Sequence, residues 1–248
     1  MTRIAALSDV HGNAVALEAV LQDIDRARPD AVMVAGDLVL NGPDPAMVVD
    51  VLRRLADDGA LVLAGNTDIA VADFDYAAAF PWLQDGVPDA MIAAAEWAHD
   101  ALGPERVDWL RRLPSERRFR TDDDTLVLAC HASPGSQTAG LDRDLDPSVT
   151  IERVVRTDAR VIVCGHTHLP EVRDLGWKVI VNTGSAGYVF DGDPTASWAL
   201  IDLVDGEVAA EIRRTEFDTI AAANAISSRG LPGDVYRAAT VRTGKLVR

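Results

Sequence analysis

The sequence predicts an α/β fold with a parallel sheet in its first part, and three observations support this. Residues 3–8, 31–36 and 60–64 are short apolar runs of strand length. Between them, residues 14–28 and 45–57 place apolar side chains at intervals of three and four, which is helical spacing. Strands that alternate with helices form right-handed crossovers and a parallel sheet. The strands are continuously apolar, which favours burial of both sheet faces.

The composition is typical of a globular protein. The chain has 248 residues, of which 48% are hydrophobic and 25% charged, so neither a disordered nor a collagen-like protein fits. Its net charge of −15 argues against a broad nucleic-acid surface, so an anionic substrate must be attracted by a local feature. No apolar run approaches the roughly 18 residues of a membrane helix, and the N-terminal run is too short for a signal peptide. We therefore expect a cytoplasmic protein without a membrane partner, and its oligomeric state stays open.

Residues 69–122 interrupt the alternation of strands and helices. They contain two helix-like stretches, 91–99 and 106–113, and seven of the thirteen aromatic residues, whereas residues 1–68 contain none. We expect one domain over residues 1–248, with 69–122 inserted as a small helical lid. The lid aromatics have two possible roles, since they either pack in a small core of their own or stack on a substrate base.

Strands resume in the second half. Apolar runs at 125–130, 161–164, 178–181, 196–204 and 207–214 predict strands, 147–156 predicts a helix, and Asp205-Gly206 predicts a hairpin turn. The tail from Gly230 is polar and aperiodic, so we expect it to lie loosely over the surface. Cys130 and Cys164 each end an apolar run and are expected to be reduced packing residues.

Polar residues follow the predicted strands of both halves. Because the carboxyl ends of parallel strands meet at one edge of a sheet, these side chains are expected to converge. A single Asp-x-His or His-x-His is a weak signal, but all of them at strand ends in one chain is a strong one. The residues are Asp9, His11, Asp37, Asn66, His131, His166 and His168.

The residue types in this set predict a metal centre. Aspartate and histidine without a cysteine ligand suit divalent Mn, Fe, Zn or Ni, with Mn favoured here. Seven candidates exceed what one ion with an open position requires, so two ions are implied. Two dications carry +4 against −2 from Asp9 and Asp37, which leaves an anion-binding spot on an acidic protein. Such a pair hydrolyses phosphoryl groups by in-line attack of a hydroxide that bridges the metals.

In this order, the motifs resemble the signature of the calcineurin-like metallophosphoesterase superfamily, in particular a small bacterial and archaeal branch of phosphodiesterases and diadenosine tetraphosphate hydrolases. The resemblance covers nearly the whole chain, including the turn at 182–185. It implies a four-layer α/β/β/α sandwich, and it implies that Asp37, Asn66 and His131 act in catalysis. It places Asp9, His11, Asp37 and His168 on one metal, and Asp37, Asn66, His131 and His166 on the other.

The sequence departs from the larger family at Thr67, where many members carry a histidine that stabilises the phosphate or protonates the leaving group. The leaving-group acid is therefore open: a water on the metal, a neighbouring group, or His99 on the lid are the alternatives. Asn41 and Ser185 are candidate phosphate contacts by position, and Asp68 is expected to orient a ligand or the loop.

The function we predict is metal-dependent hydrolysis of a phosphodiester or a nucleotide phosphoanhydride, with a small phosphorylated substrate as the partner. A protein or small-molecule phosphomonoesterase is the alternative enzyme. A non-catalytic metal-binding scaffold is the alternative from another class, and it is disfavoured because every expected metal position is filled.

Overall fold

A computed structural model describes residues 1–248 and contains ten strands and eight helices. The strands are β1 (Thr2–Leu7), β2 (Ala31–Ala35), β3 (Leu61–Leu63), β4 (Glu116–Arg120), β5 (Leu126–Cys130), β6 (Val161–Cys164), β7 (Glu171–Asp174), β8 (Val179–Asn182), β9 (Ala196–Val204) and β10 (Glu207–Thr215). The helices are α1 (Ala14–Ala27), α2 (Pro45–Asp57), α3 (Asn66–Asp73), α4 (Tyr76–Ala79), α5 (Asp89–Arg111), α6 (Pro147–Val154), α7 (Thr219–Ser228) and α8 (Asp234–Thr243). None of these helices is long and apolar enough to cross a membrane.

The strands form two five-stranded sheets. The first has the order β10-β9-β1-β2-β3, in which β1, β2 and β3 are parallel, as predicted. The second has the order β4-β5-β6-β8-β7, with β5, β6 and β8 parallel. The hairpin between β9 and β10 turns at Asp205 and Gly206, both at positive φ, as a tight two-residue turn requires.

The two sheets pack face to face. Along β1, Ile4 and Ala6 point into a core shared with Val127 and Val163 of the second sheet. Their neighbours Ala5 and Leu7 point the other way, into a core with helices α1, α2 and α5. Helix α6 covers the outer face of the second sheet. This alternation buries both faces of β1 and confirms the four-layer α/β/β/α sandwich.

Segment 69–122 differs from the helical lobe that the sequence predicts. Its last part is strand β4, which pairs antiparallel with β5 at the edge of the second sheet. The sequence of β4 is Glu-Arg-Arg-Phe-Arg, and such a charged edge strand lacks the apolar pattern by which the others were predicted. Ala98, Leu102 and Leu110 of α5 lie in the same core as α1 and α2, so the helices share the main core.

The expectation of a loose tail is wrong. Helix α8 packs against α7 as a hairpin, and Ile226, Ala238 and Val241 are buried between them with Tyr188. The apolar positions of this hairpin are mostly alanines, which give a weak periodic signal in the sequence. Cys130 and Cys164 are buried and unpaired, as predicted.

Candidate metal centre

The seven predicted ligands come together at the carboxyl ends of the parallel strands. Asp9 follows β1, Asp37 follows β2, and Asn66 begins α3 just after β3. From the second sheet, His131 follows β5, and His166 and His168 follow β6. The two sheets are tied at this edge because the His131 Nδ1 lies 2.8 Å from the carbonyl oxygen of Ala35, the last residue of β2.

Three of these residues form a first ligand set, Asp9, His11 and His168, all buried. The Nε2 atoms of His11 and His168 are 3.2 Å apart. The Asp9 Oδ1 lies 3.2 Å from the His168 Nε2 and 3.8 Å from the His11 Nε2. Three potential ligand atoms therefore face one point.

Three others form a second ligand set, Asn66, His131 and His166. The Asn66 Oδ1 lies 3.0 Å from the His131 Nε2 and 3.1 Å from the His166 Nδ1. The two imidazole nitrogens are 3.2 Å apart. The second set is therefore as compact as the first.

Asp37 lies between the two sets. Its Oδ1 is 3.3 Å from the His131 Nε2 of the second set, and its Oδ2 is 3.7 Å from the His11 Nε2 of the first. The backbone N–H of Thr67 donates to the same Oδ1 at 2.9 Å and fixes the carboxylate. One carboxylate thus offers an oxygen to each set.

The donor chemistry fits divalent cations. The outer Nδ1 atoms of His11, His131 and His168 each face a backbone carbonyl oxygen, of Leu40, Ala35 and Tyr188 respectively. Because a carbonyl oxygen can only accept a hydrogen bond, each Nδ1 carries the proton. In the neutral ring the inner Nε2 then has a free lone pair that can bind a metal ion. In addition, the buried Asp9 Oδ1 has no hydrogen-bond partner. A buried carboxylate oxygen without a partner and several lone pairs that face one point are well suited to bind a cation.

The pKa values of the histidines in the two sets are shifted by burial and by the neighbouring charged groups. Burial lowers the pKa of His11 to about 4, and the neighbouring His168 adds to this effect. Burial together with His131 lowers the pKa of His166 to about 4. For His131, the cost of burial is outweighed by the Asp37 carboxylate, and its pKa rises to about 10. Without a cation, a proton on His131 is thus the main counter-charge to Asp37.

The backbone of the centre is strained at most of its ligands. Asp9, His11, Asp37, His166 and His168 all have φ between 51° and 67°, a left-handed conformation that non-glycine residues rarely adopt. The adjacent glycines make room for it. A Cβ on Gly165 would lie 2.2 Å from the Asp9 Oδ2, and one on Gly65 would lie 2.1 Å from the Asp37 Oδ1.

The centre opens into a cavity of about 160 Å³. Asn41 lines it, in agreement with its predicted position, as does Thr67. The other walls are apolar and mostly aromatic: Leu40, Phe80, Trp82, Met91, Tyr188 and Phe190. The sequence does not predict Tyr188 and Phe190 as cavity residues, since nothing in their spacing sets them apart. The Phe190 ring stacks on that of His168 at a centroid distance of 4.0 Å.

Two other predicted substrate contacts do not lie at the cavity. The buried Ser185 Oγ donates to the Asp9 carbonyl at 2.7 Å and accepts from the Tyr188 N–H, so it fixes the backbone of a ligand. The His99 Nδ1 lies 2.7 Å from the Val71 carbonyl, and its ring packs on Phe74. His99 is thus held within the helical layer, away from the ligand sets.

Asp68 binds backbone rather than facing the centre. It accepts from the N–H groups of Leu38 and Gly65, both at 2.8 Å, and so ties the loops that carry Asp37 and Asn66. Burial, reinforced by the nearby Asp37 charge, raises the pKa of Asp68 to about 7.

A two-sheet sandwich that gathers carboxylate, amide and imidazole donors at its strand ends is suited to bind metal ions and to hydrolyse phosphoryl groups. Residues 2–206 match the family model of the calcineurin-like phosphoesterase superfamily domain, and the chain belongs to this superfamily. The predicted class of enzyme, a phosphoric ester hydrolase, is thereby confirmed.

The chain is also similar to individual proteins over much or part of its length. The chain is 28% identical to an uncharacterized protein of Methanocaldococcus jannaschii, over 92% of this chain and 93% of that protein. It is 32% identical to a symmetrical bis(5'-nucleosyl)-tetraphosphatase of Pectobacterium carotovorum, over 51% of this chain but only 41% of that enzyme. The crystal structure of a metallophosphoesterase from Sphaerobacter thermophilus superposes with a TM-score of 0.75 at 27% identity, covering 98% of this chain and 99% of that one.

Proposed function

We propose that this protein hydrolyses a nucleotide phosphoanhydride or a phosphodiester with the help of two divalent cations. The first ligand set would hold one cation and the second set the other, with Asp37 contributing an oxygen to each. Bound there, the cations would neutralise the charge of a phosphoryl group and make a water molecule more acidic. Donors without a thiolate are compatible with manganese, which is the metal we would test first.

The observation that carries this proposal is the position of Asp37 between the two sets. Its two oxygens face His131 on one side and His11 on the other, at 3.3 and 3.7 Å. A single site would need only one of these oxygens. Asn66 and His131 complete the catalytic residues that we propose, because together with the Asp37 Oδ1 they would hold the second cation.

The charge of the cavity supports an anionic substrate that depends on the cations. No lysine or arginine lines the cavity, so no side chain there neutralises a phosphate. The protein as a whole carries −15. Two dications against the charges of Asp9 and Asp37 would leave the site positive, and this local charge is what would attract the phosphoryl group.

The cavity walls favour a substrate with a good leaving group. Apart from the ligands, the one titratable side chain on the walls is Tyr188, and burial raises the pKa of its phenol above the ordinary 10.0. Such a phenol is a poor proton donor at neutral pH, and His99 lies elsewhere. Cleavage of a phosphoanhydride releases a phosphate, which needs little protonation as it leaves. Cleavage of an alkyl ester releases an alkoxide, which needs a proton. This supports the anhydride above the phosphomonoester.

The aromatic walls support a nucleotide. Trp82 lies in the connection between α4 and α5, and its side chain is 53% exposed. Its ring centroid is 5.8 Å from that of Phe80 and 6.1 Å from that of His166. An exposed indole beside a phosphoryl site is suited to stacking on a base. We propose that segment 69–122 acts as a lid in this sense, with Trp82 as the ring that contacts the base.

Thr67 lines the same cavity and carries a hydroxyl that has no hydrogen-bond partner in the protein. The residue is only 6% exposed. It lies in the first turn of α3, whose N-terminus favours negative charge. We propose that this hydroxyl donates to a phosphoryl oxygen of the substrate, which would satisfy it.

The test is steady-state hydrolysis by metal-stripped protein reloaded with manganese. The substrates are diadenosine tetraphosphate, bis(p-nitrophenyl) phosphate and p-nitrophenyl phosphate, with Asp37→Asn as the blank. Turnover of the tetraphosphate or the diester well above the blank, and lost on chelation, is the expected result. Preferential turnover of the monoester would contradict the proposed substrate class, and turnover without metal would contradict the mechanism.

A further inference from the structure

The C-terminal hairpin reaches the rim of the cavity through Arg237 of α8. This side chain is 7% exposed and hydrogen bonds to three separate parts of the fold. Its Nε donates to the Asn41 Oδ1 at 3.2 Å, and its Nη2 donates to the Ala90 carbonyl in the first turn of α5 at 2.5 Å. Its Nη1 donates to the Pro232 carbonyl at 2.7 Å. One guanidinium thus joins the loop after Asp37, helix α5 and the hairpin.

A second arginine reinforces this connection. Arg229 follows α7, and its Nη1 donates to the carbonyl of Gly42, the residue after Asn41, at 2.7 Å. Its guanidinium also lies 4.7 Å from the ring centroid of Trp97 in α5. The buried Asp234 carboxylate pairs with both arginines, at 2.5 Å from Arg229 and 3.1 Å from Arg237. The hairpin therefore holds two consecutive loop residues through two arginines that share one buried carboxylate.

The contact determines which end of Asn41 faces the cavity. Arginine only donates, so the amide atom that contacts Arg237 must be the oxygen. The amide nitrogen, which only donates, is left for the cavity that Asn41 lines. Asn41 has a φ of 82°, a conformation that needs support from neighbouring groups. Arg229 supports this loop backbone through the Gly42 carbonyl, and Arg237 holds the side-chain oxygen, which leaves the amide nitrogen as the donor that Asn41 can offer to the cavity.

We propose that Arg237 is a positioning residue for substrate binding, and that it acts through Asn41. The proposal rests on the proposed function, because it takes Asn41 as a contact to a phosphoryl oxygen. Arg237 lies beyond residues 2–206, the part of the chain that matches the family model. The C-terminal hairpin would thus be a specific part of the substrate site, in addition to covering the core.

The experiment is a double-mutant cycle on the manganese-loaded full chain. Arg237→Gln, Asn41→Ala and the double variant are compared with wild type in KM and kcat for diadenosine tetraphosphate. Arg242→Gln is the matched control, since Arg242 is an exposed arginine on the same helix. A second readout is the rise in Tm that inorganic phosphate causes in each loaded protein, which requires no turnover.

Loss of one hydrogen bond to a charged oxygen corresponds to an increase in KM of about tenfold. We expect this increase in both single variants and no further increase in the double variant, with kcat changed much less. The phosphate-induced rise in Tm should shrink in all three variants and persist in Arg242→Gln.

A KM for Arg237→Gln equal to that of wild type would overturn the proposal. A double variant whose KM rises about a hundredfold would also overturn it, because that is the product of two independent effects. If Arg237→Gln does not fold, Arg237→Lys keeps a cation beside Asp234 while losing the planar fork, and is expected to show the same increase in KM. A wild-type protein that neither hydrolyses the substrate nor responds to phosphate would instead contradict the proposed function.

Discussion

Replacing Asp37 by Asn tests the metal centre at the one residue that both ligand sets share. The substitution keeps the size of the side chain and removes one negative charge. Asn also has a single acceptor oxygen, so it can serve only one of the two sets, and its NH2 group would face the other set. Both effects oppose the binding of two cations.

The magnitude follows from the distance between Asp37 and its neighbours. The Oδ1 lies 3.3 Å from the His131 Nε2. At this distance two unit charges in an effective dielectric of about 20 interact by about 5 kcal/mol. A dication held beside this oxygen would lose at least as much interaction energy when the carboxylate is replaced by a neutral amide. Because a neutral amide costs less to bury than a carboxylate, part of this loss is offset. A net loss of about 4 kcal/mol corresponds to about a 10³-fold decrease in turnover.

The assay measures kcat/KM on manganese-reloaded protein, together with bound metal by elemental analysis and Tm by circular dichroism. Asp202→Asn is the matched control, because it removes the same charge from the half-exposed partner of Arg3 in the first sheet. It should change turnover by less than about twofold. If Asp37→Asn folds, binds two metals and retains more than about a tenth of wild-type turnover, a shared Asp37 is not the basis of catalysis.

Three other changes test separate parts of the site. In the metal-free protein His131 has a pKa of about 10, so below that pH a proton on His131 competes with the cation. His11 and His166 have pKa values of about 4 and are already neutral at pH 7. Manganese affinity, measured by calorimetry, should therefore rise by at least about tenfold per pH unit from 6 to 8, with release of at least one proton, because Asp68, whose pKa is about 7, can also lose a proton in this range; a flat profile would contradict this. Thr67→Val should lower turnover about tenfold without lowering Tm, because the hydroxyl it removes has no partner in the free protein, and Thr67→Ser should retain activity. Equal activity of the Val variant and wild type would show that the hydroxyl does not contact substrate. Trp82→Ala should raise KM for diadenosine tetraphosphate about tenfold but leave inorganic tripolyphosphate unaffected, and equal effects on both substrates would argue against base stacking.

The ligand sets could be predicted from sequence because their positions depend on strand ends. A strand that is buried on both faces is apolar, so the first polar residues mark its end, as Ser8 and Asp9 do after Leu7. Parallel strands then bring these ends to one edge. The left-handed backbone at the ligands was not predictable residue by residue, although glycines such as Gly36 and Gly165 occur beside them.

Other features depend on contacts that leave no local pattern. Strand β4 is held by pairing with β5 rather than by apolar side chains of its own. Ser185 occurs in a turn beside the site, yet its hydroxyl is used to fix Asp9, and sequence position cannot distinguish a side chain near a ligand from one that faces the substrate. The contact from Arg237 to Asn41 joins opposite ends of the chain, and nothing near either residue indicates it.

The position of β1 within the first sheet has a consequence for how the protein is made. This strand lies between β2 and β9, and Thr2 pairs with Leu203. During synthesis β2 emerges soon after β1, but the other edge of β1 must wait for almost the whole chain. At about 5–20 residues per second this delay is on the order of ten to forty seconds. Until then the nascent chain carries an unpaired apolar strand edge, the kind of surface on which other chains can pair.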